Sequence, residues 1–176
     1  MRTEAVSIFQ FEDLEPIAQE RAIERARAAG WYGNAWADEW RESLKCAERA
    51  LPIRVKDWTV DPWGPTDATV ETMDEEIEHL SDVRAWKWIH NSGLADAIAK
   101  ECPFTGYCGD EAFLAPLRAF IRRPDSRALG DIFQECGDSW ACGWRDDIEH
   151  QMSDEAIRED LICNEVEFTE DGELYR

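Results

Sequence analysis

The sequence predicts an α+β fold, mostly helical, with a small β-sheet formed by N-terminal, central and C-terminal strands. Helical apolar spacing recurs over most of the chain, short runs of β-formers stand at its start, middle and end, and Gly, Pro and Asp clusters punctuate them. At 176 residues the chain suits a single acidic domain, 1–176. With 44% hydrophobic residues and nine Trp it supplies a core and excludes disorder.

Residues 4–11, with Val6, Ile8, Phe9 and Phe11, read as a strand. Asp13 is the expected N-cap of a helix that carries Pro16 in its first turn, runs to about Ala29 and stops at Gly30. Trp31 and Tyr32 form a connector. A second helix over residues 34–51 places Trp36, Trp40 and Leu44 on one face, and Pro52 ends it. Ile53, Val55, Trp58 and Val60 suggest a strand, Asp61-Pro-Trp-Gly-Pro65 a turn, and residues 69–73 a further strand. Ser81 caps a helix through about Lys100, and residues 102–109 form a loop. Helices follow over 110–121 and 129–152, and another starts at Ser153-Asp-Glu155 and reaches about Cys163. Val166 and Phe168, Asp171-Gly172, then Leu174 and Tyr175 read as a closing hairpin.

The candidate chemistry is thin. Cys102-Pro-Phe-Thr-Gly-Tyr-Cys108 and Cys136-Gly-Asp-Ser-Trp-Ala-Cys142 each space two Cys six positions apart, whereas zinc knuckles space ligands about two to four residues apart. Cys136 and Cys142 also stand about 240° apart on one helix. Zinc is therefore not expected, and these Cys are read as small buried hydrophobes. Of the three His, none lies in a His-Glu-x-x-His pattern, and no nucleophile elbow, phosphate-binding loop or dinucleotide fingerprint is present. The expectation is a protein that is not an enzyme, with no cofactor and no metal. No run of apolar residues is long enough for a membrane span, and the N-terminus lacks an apolar signal core, so a cytoplasmic setting with reduced thiols is expected. The nine Trp invite a base-stacking role, but that needs a basic groove. Trp36, Trp40, Trp86, Trp140 and Trp144 are assigned to the core instead.

Charge is the outlying feature: 39 Asp/Glu against 19 Lys/Arg, a net of −20. Such a chain repels nucleic acid and anionic membranes and attracts basic protein surfaces. Residues 131–176 hold 15 acids against Arg145, Arg158 and Arg176, so more than half the net charge sits in about a quarter of the sequence. On the 129–152 helix, Phe133, Cys136, Trp140, Trp144 and Ile148 form an apolar seam. Asp131, Glu135, Asp138, Asp146 and Glu149 fall within an arc of about 80° on the other side. That ridge carries one charge per ~5 Å, against one phosphate per ~3.4 Å along a DNA strand. Few Lys interleave with these acids, so they are expected to be exposed and unpaired. With Asp154, Glu155 and Glu159 of the next helix they make up the expected partner-binding surface.

Several segments resemble a family of small proteins encoded in bacteriophages and prophages. They are Phe11-Glu-Asp-Leu14 with its Ala-rich helix, the Trp-rich second helix, Asp82-Val-Arg-Ala-Trp-Lys-Trp88, Cys102-Pro-Phe-Thr-Gly-Tyr-Cys-Gly-Asp-Glu111, Gln151-Met-Ser-Asp-Glu155 and Asn164-Glu-Val-Glu-Phe-Thr-Glu-Asp-Gly172. The Thr-Gly-Tyr-Cys and Glu-Phe-Thr-Glu-Asp-Gly segments are the most specific. In size, charge and lack of enzymatic motifs the chain is similar to anti-CRISPR proteins, some of which imitate DNA. The resemblance implies no catalytic residue. It implies an inhibitor in the bacterial host cytoplasm that binds a basic nucleic-acid-binding protein or CRISPR effector complex and blocks access of DNA. The competing expectations are an antitoxin or regulatory module on a basic protein, an accessory phage structural protein, and a phage enzyme or modifier of a host enzyme.

Overall fold

A computed structural model describes residues 7–30, 37–100 and 103–175. The chain divides into two compact units, Met1–Ala35 with Ile148–Arg176, and Trp36–Asp147. The α+β class holds, with helices dominating and two separate two-stranded antiparallel sheets among the described residues. The expected single sheet is therefore corrected: the N- and C-terminal strands pair with each other, and the central strands pair with each other.

In the smaller unit, β1 (Phe9–Gln10) pairs with β4 (Glu167–Phe168), and Phe168 bridges onward to Leu174. Helix α1 spans Pro16–Ala28. Asp13 is not its N-cap. Phe11–Asp13 forms a 3-10 turn and Glu15 takes the cap position, because Pro16 holds the residue before it extended and itself fits the first helical turn. Ala18, Ala22 and Ala26 recur every fourth residue on α1, which lets α8 (Asp154–Cys163) approach closely. Ser153 caps α8 by accepting the Ala156 N–H at 3.2 Å. Ile23, Ile157, Leu161, Phe11 and Phe168 fill this core, with the two Phe rings edge to face at 6.1 Å.

The larger unit is built on α2 (Ala37–Ala50), α6 (Cys108–Arg122) and α7, whose full span is Leu129–Gln151. Trp36 and the expected strand residues before Ser7 lie outside the described residues, as does Cys102. Trp40, Trp140 and Trp144 are buried, and Trp58 of the hairpin closes the group, its ring 5.2 Å from Trp144. The Trp140 indole N–H donates to the Trp40 carbonyl at 3.0 Å, and the Trp40 indole to Asp147 at 3.0 Å, so two buried rings keep satisfied polar tips. Trp86 is only half-buried and donates to the Ile121 carbonyl. The hairpin pairs β2 (Ile53–Thr59) with β3 (Asp67–Thr72).

Two further corrections concern helices. A short helix α3, Glu75–Glu78, follows β3 behind an Asp74 cap. The long helix expected from Ser81 breaks into α4 (Asp82–Asn91) and α5 (Leu94–Ala97), because Gly93 turns left-handed at φ 77°. No helix among the described residues is long and apolar enough to cross a membrane.

Candidate partner-binding surface

The expected ridge on α7 is not a row of unpaired acids. Asp131 is exposed, near the start of the helix, where it accepts the Ala128 N–H at 3.3 Å. Glu135 is half-buried and ion-paired with Arg127, which also holds Asp125 at 2.7 Å. Asp146 pairs with Arg145 at 2.7 Å. Asp138 is half-buried and accepts the Ala68 N–H at 3.3 Å and the Gln134 amide at 3.0 Å. Gln134 itself accepts the Val70 N–H at 3.0 Å and donates to the Ala68 carbonyl at 2.6 Å.

The reason is that α7 is covered on two flanks, not one. Its apolar seam meets α2 and α6: a Cβ at Gly143 would stand 2.9 Å from Ala112 and 3.1 Å from the Trp40 ring. A second flank meets β3, where a Cβ at Gly137 would stand 2.5 Å from Val70. Apolar periodicity identifies the first flank only. Gly130, Gln134, Gly137 and Ala141 are too small or too polar to register as a buried face, yet they form one.

In the smaller unit several acids face solvent. Glu149 is exposed at the end of α7. Asp154 is ion-paired with Arg27 at the start of α8, where the helix dipole also favours a carboxylate. Glu155 and Glu159 are exposed one turn apart and make no ion pair among the described residues; the same is true of Glu165, Glu167 and Glu170. The turn that carries Glu170 is firmly held. The Thr169 hydroxyl donates to Asp171 at 2.6 Å, holding that carboxyl below its usual range. Arg25 reaches the Asp171 carbonyl at 3.2 Å and Glu173 at 3.4 Å. By sequence the smaller unit holds 16 acids against six bases, and the larger 23 against 13. Each nets −10, but the smaller unit does so with 64 residues and the larger with 112.

Sequence reasoning missed a buried carboxylate. Asp110 is fully buried in the first turn of α6. Its oxygens accept the N–H groups of Phe104 at 2.8 Å, Thr105 at 2.7 Å and Gly106 at 3.2 Å, and the hydroxyls of Ser43 at 2.7 Å and Thr105 at 2.8 Å. Burial pushes its pKa up, but the donors of Thr105, Ser43 and Phe104 outweigh it, and the net shift is downward. Gly106 supplies the left-handed corner at φ 84°, and Gly109 leaves room for Ser43, whose Oγ a Cβ there would meet at 2.8 Å. The signal was the Thr-Gly-Tyr-Cys-Gly-Asp order, a carboxylate just inside a helix start. Ser43 is fully buried, and its hydroxyl meets Thr105 and Asp110, so the cluster ties the 104–106 loop to α2.

Of the described Cys assigned to the core, only Cys136 is fully buried, and burial pushes its thiol up to about 12. Cys142 is half-buried. Cys108 is exposed, because it stands at the solvent-facing start of α6. Among the described residues no group of three or more His, Cys, Asp or Glu is placed to hold a metal ion. Comparisons with protein-family models, curated proteins and solved structures found no match.

Proposed function

We propose that the chain is a binding protein of anti-CRISPR type, acting in a bacterial host cytoplasm. It lays the acidic surface of its smaller unit into the Lys/Arg-lined site of a nucleic-acid-binding defence complex and keeps DNA out. The observation that carries this reading is the contrast in how acids are used. On α7 the carboxylates are spent on Arg127, Arg145 and the hairpin, whereas Glu155, Glu159, Glu165, Glu167 and Glu170 face solvent without ion pairs among the described residues. Exposed, unneutralised acids steer a basic partner and form charge-assisted hydrogen bonds on contact. Within the surface expected from sequence, weight therefore moves from Asp131, Glu135, Asp138 and Asp146 to Glu155 and Glu159, extended by Glu165, Glu167 and Glu170.

The test is a capture experiment from bacterial lysate at low and high salt, using the parent and a variant with Glu155, Glu159, Glu165 and Glu167 changed to Gln. The parent should enrich a nucleic-acid-binding complex at low salt and lose it at high salt, since surface charge attraction is screened over about 10 Å at 0.1 M. The variant should capture far less while melting as the parent does. The purified complex should lose DNA binding when the parent chain is added. Equal capture by the variant, or a complex that binds DNA unhindered, would remove the reading; a small toxin as sole partner would point to an antitoxin.

A further inference from the structure

We infer that a groove along α4 is a docking site for a short acidic peptide segment of a partner protein. This site lies in the larger unit and shares no residue with the acidic surface. The groove, about 570 Å³, is lined by Leu80, Arg84, Lys87, Trp88, Asn91 and Ser92. Arg84, Trp88 and Asn91 follow one another at four- and three-residue steps, so they form a single stripe on α4, with Lys87 beside it. Leu80 and the half-buried Trp88 give the groove an apolar floor.

Both of its charged residues are cations, in a chain of net charge −20. Arg84 and Lys87 are exposed and make no ion pair among the described residues. Arg25, Arg27, Arg41, Lys45, Arg49, Lys56, Arg118, Arg127 and Arg145 each find a carboxylate. Arg21, Arg54, Lys100, Arg122, Arg123 and Arg158 likewise make no ion pair among the described residues, so what sets Arg84 and Lys87 apart is their place beside an apolar floor. The Trp88 indole N–H and the Asn91 amide also have no protein partner among the described residues. Two isolated solvated cations would need no further account. Here they flank a concave apolar floor that carries free hydrogen-bond donors.

Electrostatics selects the occupant. Arg84 and Lys87 span only about 4.5 Å along the helix. A nucleic-acid strand carries a phosphate every ~3.4 Å, so all but one or two of them would lie against a strongly acidic body. A second copy of the chain brings its own −20. A peptide with two carboxylates meets little of that repulsion, because screening confines it to about 8 Å at physiological salt. Its carboxylates would face Arg84 and Lys87. An aliphatic or aromatic side chain would cover Leu80 and Trp88, and its backbone would meet the Asn91 amide and the Trp88 N–H.

The test is a fluorescence-anisotropy titration with a labelled peptide carrying two Glu, one Leu and one Phe, beside the same peptide with Gln for Glu. The protein variants are Arg84→Glu with Lys87→Glu, the milder Arg84→Gln with Lys87→Gln, and Arg21→Glu with Arg158→Glu, which matches the first in net charge. Melting curves establish that each is folded. The Glu peptide should bind the parent saturably and bind Arg84→Glu/Lys87→Glu about tenfold more weakly, as the loss of two ion pairs with added repulsion implies. Arg84→Gln/Lys87→Gln should fall between, and Arg21→Glu/Arg158→Glu should stay within about twofold of the parent. No saturable binding, equal binding of the Gln peptide, or equal loss in the charge-matched variant would overturn the assignment. So would tighter binding of a short oligothymidylate, or a parent dimer in sedimentation that Arg84→Glu/Lys87→Glu dissolves.

Discussion

In the larger unit Asp110 is fully buried and accepts five hydrogen bonds, Asp138 and Gln134 bind the edge of β3, and Asp147 takes the Trp40 indole. In the smaller unit Glu155, Glu159, Glu165, Glu167 and Glu170 face solvent, over a core in which Ala supplies three of the nine buried residues. Equal net charges thus come from unlike designs. The larger unit uses carboxylates as internal acceptors. The smaller holds together through close Ala packing and two Phe, and keeps its carboxylates for the outside. The lesson is that acid count alone says nothing about where a charged surface lies; the neighbouring N–H groups and Arg residues decide it.

The largest effect should come from Trp140. It is fully buried and touches Trp40, Trp58 and Trp144, so Trp140→Ala should cost about 3–5 kcal/mol in a denaturant melt. A loss under about 1 kcal/mol would mean that the aromatic group does not hold the larger unit together.

Asp110 comes next. Asp110→Ala strands at least three backbone N–H groups and should cost about 3 kcal/mol. Its folded pKa lies below the unfolded value of about 3.9, so its contribution is complete above that pH and is lost as pH falls through the folded value. Below about pH 4 the parent should therefore lose stability more steeply than Asp110→Asn. Parallel acid titrations followed by circular dichroism check this, and superimposable curves would refute it.

A matched glycine pair sharpens the contrast between units. At Gly172, φ is 77° and a Cβ would meet the Ala18 carbonyl at 2.3 Å; at Gly137 a Cβ would meet the Val70 side chain at 2.5 Å. Backbone yields less than a methyl group, so Gly172→Ala should cost more, about 2–3 kcal/mol against about 1–2 for Gly137→Ala. Urea melts of both variants give the order directly.

The smallest effect should be that of Glu155→Gln with Glu159→Gln. Neither acid has an ion pair among the described residues, so the melting temperature should stay within about 2 °C of the parent. A drop beyond about 5 °C would show these acids to be structural, as their counterparts in the larger unit are.

Most helices were legible because their apolar residues recur at helical spacing: α1, α2, α6, α7 and α8 lie where Ala22, Leu44, Phe113, Phe133 and Ile157 place them. The break at Gly93 was not, since a lone glycine within a periodic run is tolerated as often as it caps. Strand pairing was hidden for a different reason. Phe9 meets Phe168 across almost the whole chain, and no local pattern encodes a partner at that distance. On α7 the sequence separated apolar from acidic residues correctly but was silent on Arg127, which lies outside the helix and reaches back to Glu135.

A two-stranded sheet has two open edges, and each is a template on which another extended chain can pair. Here the Glu48 carboxylate accepts the Val55 N–H at 2.8 Å on one strand, and Gln134 with Asp138 takes Val70 and Ala68 on the other. Side-chain amide and carboxylate groups thus stand in for the missing neighbour strands. Should α7 detach locally, the run Asp67–Thr72 would be uncovered together with its hydrogen-bonding edge. Heat-induced aggregation of this protein should then follow the loosening of α7 rather than global unfolding, with the molecule's mutual charge repulsion as the remaining barrier to clumping.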